Sequence, residues 1–159
     1  AWDEVTDKNL GFFRQIGMDS LVVSSPRTMD DGRDRSDEFC RVKALIESHG
    51  MRLHVIQMAE RCWDEITLGR PGRDEKIESW CTALRAMGKV GIPVLGYVFN
   101  AIGHFRTASS LGRGGARYDR FDYQELMKDP PLVADKKIDE QALWDNFAYF
   151  LKRVVPVAE

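Results

Sequence analysis

The sequence predicts an α/β fold in which short parallel strands alternate with amphipathic helices. Its apolar residues switch repeatedly between short continuous runs and a helical spacing of three and four, the pattern that βα units around a parallel sheet produce. Glycines punctuate the ends of the helical stretches, at Gly17, Gly50, Gly88 and Gly91. A chain of 159 residues, 43% of them apolar, buries enough surface for one core and requires no second domain.

Taken in order, Leu10, Phe13 and Ile16 define one face of a first helix that starts after Thr6, its N-cap, and stops at Gly17. Residues 20–25, Ser-Leu-Val-Val-Ser-Ser, follow as a short buried strand. A second helix opens near Ser36 with Asp37 and Glu38 in its first turn, where the helix dipole favours negative charge. It carries Phe39, Val42, Leu45 and Ile46 on one side and ends at Gly50. Residues 51–58 form the next strand. Asp74 then reads as the N-cap of a helix whose apolar side is Ile77, Trp80, Cys81, Leu84 and Met87. Residues 93–99 form a third strand.

After Phe99 the pattern breaks for almost forty residues, far beyond the usual connection of roughly 4–6, so the segment reads as a lid, binding loop or disordered stretch. A last helix carries Leu143, Phe147, Phe150, Leu151 and Val154 before the chain reaches Pro156. If Ala1 and Trp2 are the stub of an earlier strand, the order is that of the first half of an eight-stranded parallel barrel. Half a barrel leaves sheet edges unpaired, so another chain or a further stretch of polypeptide is expected to complete it.

A formal charge of -2 and a pI near 6.0 give no bulk reason to bind nucleic acid or an anionic membrane. Cys40, Cys62 and Cys81 are widely spaced and form no zinc-type pair, and reduced thiols suit a cytoplasmic protein. Neither a leader segment nor a run of ~20 apolar residues is visible.

In parallel α/β folds the chemistry sits at the carboxyl ends of the strands. Here that means Trp2 and Asp3 and residues 24–27, 57–60 and 100–117. The last group is the richest, with Arg106, Arg113 and Arg117 among glycines 112, 114 and 115. These guanidinium forks suit a carboxylate or phosphate, or they are surface charge on a solvated loop. His49 reads as a helix-end residue and His54 as a packed strand residue. His104, just past a strand end, reads either as a proton-transfer group or as plain surface. Residues 69–74 lack the spacing of a phosphate loop, Asp64 and Glu65 read as solvated loop charge, and no Ser/His/Asp or Cys/His order stands out.

Residues 68–78, Leu-Gly-Arg-Pro-Gly-Arg-Asp-Glu-Lys-Ile-Glu, are followed by 91–97, Gly-Ile-Pro-Val-Leu-Gly-Tyr, and then by Phe105, Arg106 and Thr107. In that combination the chain resembles the mannonate dehydratase family. Residues 12–17, 112–116 and 151–159 are similar to its first helix, glycine-rich loop and mid-chain helix. The resemblance implies a TIM-type (β/α)8 barrel of the xylose-isomerase-like superfamily, with residues 1–159 as the N-terminal portion of one domain. It implies loss of water from D-mannonate to give 2-keto-3-deoxygluconate, in hexuronate and glucuronate catabolism, with a divalent manganese or iron ion. Such chemistry creates an enediolate, which needs a Lewis acid and cationic donors nearby.

Carried onto this sequence, the resemblance makes Arg106 the first choice for substrate binding, with Asn100, Arg113 and Trp2 as further contacts and Tyr97 and His104 as catalytic candidates. The family usually carries a carboxylate near Gln57 and an asparagine where this chain has Val98. Its metal ligands are expected just after Glu159, beginning with a His-Pro-Asp-Asp segment, so residues 1–159 alone are expected to be inactive and to supply no ligand. A homo-oligomer is compatible with the family. Two alternatives remain: a metal-dependent sugar isomerase or epimerase of the same superfamily, and a non-enzymatic domain whose arginine loop grips an anion, with Phe105, Tyr118, Phe121 and Tyr123 either packing that loop down or stacking on bases.

Overall fold

A computed structural model describes residues 2–26, 31–58, 64–102, 104–131 and 133–159. Three parallel strands, β1 (Ser20–Ser24), β2 (Arg52–Gln57) and β3 (Val94–Gly96), form a sheet in sequence order. Helix α1 (Asp7–Gln15) precedes β1, α2 (Ser36–Ser48) links β1 to β2, and the single turn α3 (Asp64–Thr67) and the long α4 (Arg73–Val90) link β2 to β3. Successive parallel strands joined by helices and laid side by side in chain order make one stretch of a barrel wall.

The helix boundaries follow local chemistry. Thr6 caps α1, its hydroxyl accepting from the Asn9 N–H at 3.3 Å. At the end of α2, His49 occupies the cap and one ring nitrogen lies 3.1 Å from the Leu45 carbonyl oxygen, the helix-end role expected of it. Gly91 ends α4 in the left-handed conformation (φ 71°), where Lys43 reaches from α2 to donate to the Val90 carbonyl at 2.8 Å. The α4 N-cap is Gly72 (φ 88°) rather than Asp74; Asp74 stands inside the first turn and accepts a hydrogen bond from the Tyr149 hydroxyl at 2.8 Å.

The core lies between one face of the sheet and the helices. Leu21 and Val23 of β1, and Leu53 and Ile56 of β2, pack against Leu10, Phe39, Ile46, Ile77, Trp80, Met87, Phe150 and Val154. Cys81 is buried among them, as its place on an apolar helix face predicts. Two expected core contacts are absent. Ile16 is 59% exposed because α1 stops at Gln15, before that residue can complete the stripe. His54 is exposed because the register slips by one residue between Leu21 and Val22, so that Val22 pairs with Val55 and His54 is left facing out.

Beyond β3 the stretch expected to be a lid, binding loop or disordered segment contains secondary structure of its own. Strands β4 (Thr107–Leu111) and β5 (Arg117–Arg120) form a separate antiparallel hairpin, followed by a turn of helix, α5 (Tyr123–Leu126). Both faces of this arm are largely solvent-exposed, so it leaves no alternating apolar signal. Tyr118, Phe121 and Tyr123, offered as loop anchors, are each more than half exposed. The final helix, α6 (Glu140–Ala158), runs through Pro156 and is capped by Asp139, which accepts from the Ala142 N–H at 2.9 Å. Trp2 belongs to a 3-10 turn (Trp2–Glu4), not to a strand. Among the described residues no helix is long and apolar enough to cross a membrane.

Candidate functional site at the carboxyl ends of the strands

The register of the sheet defines its second face. Leu21, Val23 and Ser25 are buried while Val22 and Ser24 are exposed, so the latter two point away from the helices. Their partners continue across the sheet as two rows: Val22, Val55 and Val94, and above it, at the carboxyl ends, Ser24, Gln57 and Gly96. In a closed barrel this face is the interior, and the upper row is its rim. The rim is stitched by backbone bonds, Ser25 N–H to the Gln57 carbonyl at 2.7 Å and Met58 N–H to the Gly96 carbonyl at 2.9 Å.

Gln57 lies in the strand-end window, near the place where the family usually carries a carboxylate, but the sequence reading assigned it no role of its own. Its carboxamide lies across Gly96, where a Cβ would overlap Oε1 and stand 3.2 Å from Cδ. A neutral amide at this place offers both a donor and an acceptor to a hydroxylated ligand.

Tyr97, the residue immediately after β3, faces the opposite way. Its ring makes edge contacts with Trp80 and Phe150, each at 5.9 Å between centroids, and lines an apolar cavity of about 330 Å³ between α4 and α6 with Leu84, Leu95 and Val154. The alternation of a strand puts Leu95 and Tyr97 on the helix side and Val94 and Gly96 on the open side. The ring is thus part of the aromatic packing that fastens α6 to β3.

Asn100 and His104 follow in the irregular stretch leaving β3, Asn100 half-buried and His104 exposed. Arg106 stands at the base of the arm. Its guanidinium donates to the Phe105 carbonyl at 3.0 Å and lies 3.5 Å from Asp119, leaving the side chain half exposed. Arg113 is at the other end, in the turn between β4 and β5 (Arg113–Gly115), so the length of a strand, about 3.4 Å per residue, separates the two arginines. Trp2 packs edge-on against Phe39 at 5.8 Å in the first turn of α2, and helix starts lie on the rim side of such a sheet. Ser24 and Gln57 thus stand at the carboxyl ends of their strands, Asn100 and Arg106 follow β3 in the chain, Tyr97 turns to the helix side, and Arg113 lies at the far end of the arm.

Around this rim the packing is braced by polar contacts that the sequence did not announce. Asn146 of α6 donates to the Thr67 carbonyl at 3.1 Å and accepts from Arg73 at 3.3 Å, tying α6 to α3 and α4. A polar residue three after Leu143 and four before Phe150, inside an apolar stripe, was the available signal. Lys136 bonds Asp64 at 2.9 Å, so that carboxylate is paired within a helical turn rather than solvated on a loop. Among the described residues no group of three or more His, Cys, Asp or Glu side chains is placed to hold a metal ion. The divalent metal that the family implies therefore has no fitting ligand set among the described residues.

Comparison with known proteins places this geometry. The family model of D-mannonate dehydratase (UxuA) matches residues 9–131, a span that includes all three rim strands and the arm. The chain belongs to the D-mannonate dehydratase family. Mannonate dehydratase 2 of Halalkalibacterium halodurans is 27% identical over 99% of this chain and 53% of its own length. Mannonate dehydratase of Streptococcus pneumoniae strain 70585 is 28% identical over 77% of this chain and 40% of its own length. The crystal structure of mannonate dehydratase from Streptococcus suis serotype 2 superposes with a TM-score of 0.78 and 26% identity, covering 94% of this chain and 46% of that one. The chain spans about half the length of the curated relatives it matches. The expected fold, a partial (β/α)8 barrel, agrees with that superposition and with the observed parallel strand order.

Proposed function

We propose that residues 1–159 form the N-terminal portion of a single TIM-barrel domain in a hydro-lyase that converts D-mannonate to 2-keto-3-deoxygluconate. The observation that carries this reading is the family match across β1, β2, β3 and the arm, the elements that build the rim. The wider setting is hexuronate breakdown in the cytoplasm, with manganese or iron as the family's metal supplying Lewis-acid chemistry when bound.

In this reaction the proton on C2, next to the carboxylate, is removed. The C3 hydroxyl leaves with a proton as water, and the resulting enol becomes the 2-keto acid. The residues of this chain are assigned to binding and proton handling. Arg106 pairs with the substrate carboxylate, which its planar fork fits and whose charge grows as the C2 proton departs. Gln57 and Asn100 contact hydroxyl groups, Trp2 walls the rim, and His104 exchanges a proton with solvent or substrate. Tyr97 supports the reaction through the α6 packing that fixes the end of β3, and Arg113 lies outside the first contacts.

The test is an assay of the intact polypeptide carrying residues 1–159 with D-mannonate and Mn2+. A keto-deoxy acid is the expected product. An isomeric or epimeric sugar acid would move the assignment to a proton-shifting enzyme of the same superfamily.

A further inference from the structure

The open face of the sheet carries a second polar layer, at the end opposite the rim. β1 presents Ser20, Val22 and Ser24 to this face, because Leu21 and Val23 are buried under the helices. On β2, Leu53 and Ile56 are buried, Arg52 and His54 are exposed, and Gln57 closes the strand at the rim. Arg52 is the register partner of Ser20, and its guanidinium donates to the Ser20 hydroxyl at 3.4 Å. The row Val22, Val55 and Val94 lies between this layer and the rim, so the two polar layers are separate.

His54 reaches this face through the register shift. Leu21 pairs with Leu53 and Val22 with Val55, so residues 54 and 55 together oppose Val22 and the imidazole is turned away from the core. It follows Arg52 by two residues, roughly 6–7 Å along the strand. Both side chains therefore stand at the amino end of the open face, one always cationic and one able to become so. Among the described residues no carboxylate forms an ion pair with either, and Asp19 gives Arg52 only a backbone acceptor, at 2.9 Å.

In a closed barrel this face is the interior, and enclosing a guanidinium without a counter-charge costs far more than one hydroxyl contact returns. None of the open-face residues of β1, β2 and β3 is acidic, so the counter-charge has to come from elsewhere. The chain spans about half the length of the curated relatives it matches, and in the proposed barrel the remaining strands face these three. We propose that Arg52 and His54 hold a carboxylate at the amino end of the barrel, supplied by an acidic side chain of the polypeptide beyond residue 159. A planar guanidinium fork takes a carboxylate in a defined orientation, so the contact also selects the register in which a later strand closes the sheet. The proposal rests on the barrel reading given above and is independent of the reaction.

The experiment is a crystal structure of the intact polypeptide carrying residues 1–159, with thermal melts of the wild type, Arg52→Met, Arg52→Lys and His54→Gln. The structure is expected to show an acidic side chain from beyond residue 159 within about 4 Å of the Arg52 guanidinium. Arg52→Met leaves that carboxylate enclosed without its partner and is expected to lower the melting temperature by about 5 °C or more, with Arg52→Lys and His54→Gln losing less. Replacing Arg52 and the acidic residue together by apolar residues is expected to recover most of the loss, which a packing defect at residue 52 alone would not do. An Arg52 that meets only water, a free anion in place of a side chain, or an Arg52→Met variant that melts with the wild type would each overturn the proposal. Should the same structure leave Val22, Val55 and Val94 in solvent, the barrel reading itself fails and the proposal with it; an enclosed row with Arg52 unpaired overturns the proposal alone.

Discussion

The carboxamide of Gln57 occupies the space where a side chain at position 96 would begin. Residues 57 and 96 are register partners on β2 and β3, and the missing Cβ of Gly96 lets the amide lie flat across the rim. Gly96→Ala is expected to push the carboxamide aside at a cost of about 1 kcal/mol or less, since the displaced group is the end of a flexible side chain. In a urea-denaturation cycle, Gln57→Ala should remove most of the Gly96→Ala penalty. Additive effects would show that the two residues do not share this space.

Phe150 is fully buried and touches Trp80, Tyr97 and Phe99 at ring-centroid distances of 5.2, 5.9 and 6.0 Å. Phe150→Ala is expected to lower stability by about 3–5 kcal/mol, because the rigid α4 and α6 cannot close the cavity. Equilibrium denaturation measures it, and a loss below about 1 kcal/mol would deny α6 its role in fixing the end of β3.

Asn146→Ala removes the donor to the Thr67 carbonyl and the acceptor for Arg73. Thr67 is fully buried, so losing both hydrogen bonds at this contact is expected to cost about 1–3 kcal/mol. The same denaturation experiment reads it, and Asn146→Asp, which keeps the acceptor only, should fall between the two.

Two titrating groups give pH and reactivity tests. Hydrogen bonding from Lys89 and then Ser36 holds the Asp34 carboxyl well below its ordinary 3.8. A depressed carboxyl contributes stability above the unfolded value that is lost as pH falls through the folded one, so the contribution should fade on acidification below about 3.8. Lys89→Met is expected to flatten that acid limb in pH-dependent thermal melts. Burial, followed by the charge of Glu78, pushes the Cys81 thiol up, whereas Cys40 is exposed. Site-resolved alkylation near pH 8 should label Cys40 about tenfold or more faster than Cys81, and equal rates would contradict the buried placement.

Where burial makes the pattern, the fold could be read from the residues. The apolar runs at 20–25 and 51–58, and the stripe through Ile77, Trp80, Leu84 and Met87, each became the expected strand or helix because one face had to leave water. The arm was invisible for the opposite reason: a hairpin exposed on both faces has no periodicity to betray it. His54 was misplaced by a one-residue register slip, which leaves no trace in a single strand's composition. The candidate site was half legible. Strand-end logic pointed to the segments that hold Gln57, Asn100 and Arg106. The direction of Tyr97 depended on which side of β3 the helices cover, and that is a property of the packing rather than of residues 94–97 alone.

The most direct test of the account is the kinetic effect of Arg106→Ala in the intact polypeptide acting on D-mannonate. Loss of a charged contact to the substrate carboxylate predicts a fall in kcat/KM of about 10- to 100-fold, with Arg106→Lys recovering part of it. Unchanged kcat/KM in the alanine variant would contradict the claim that this rim faces the sugar acid.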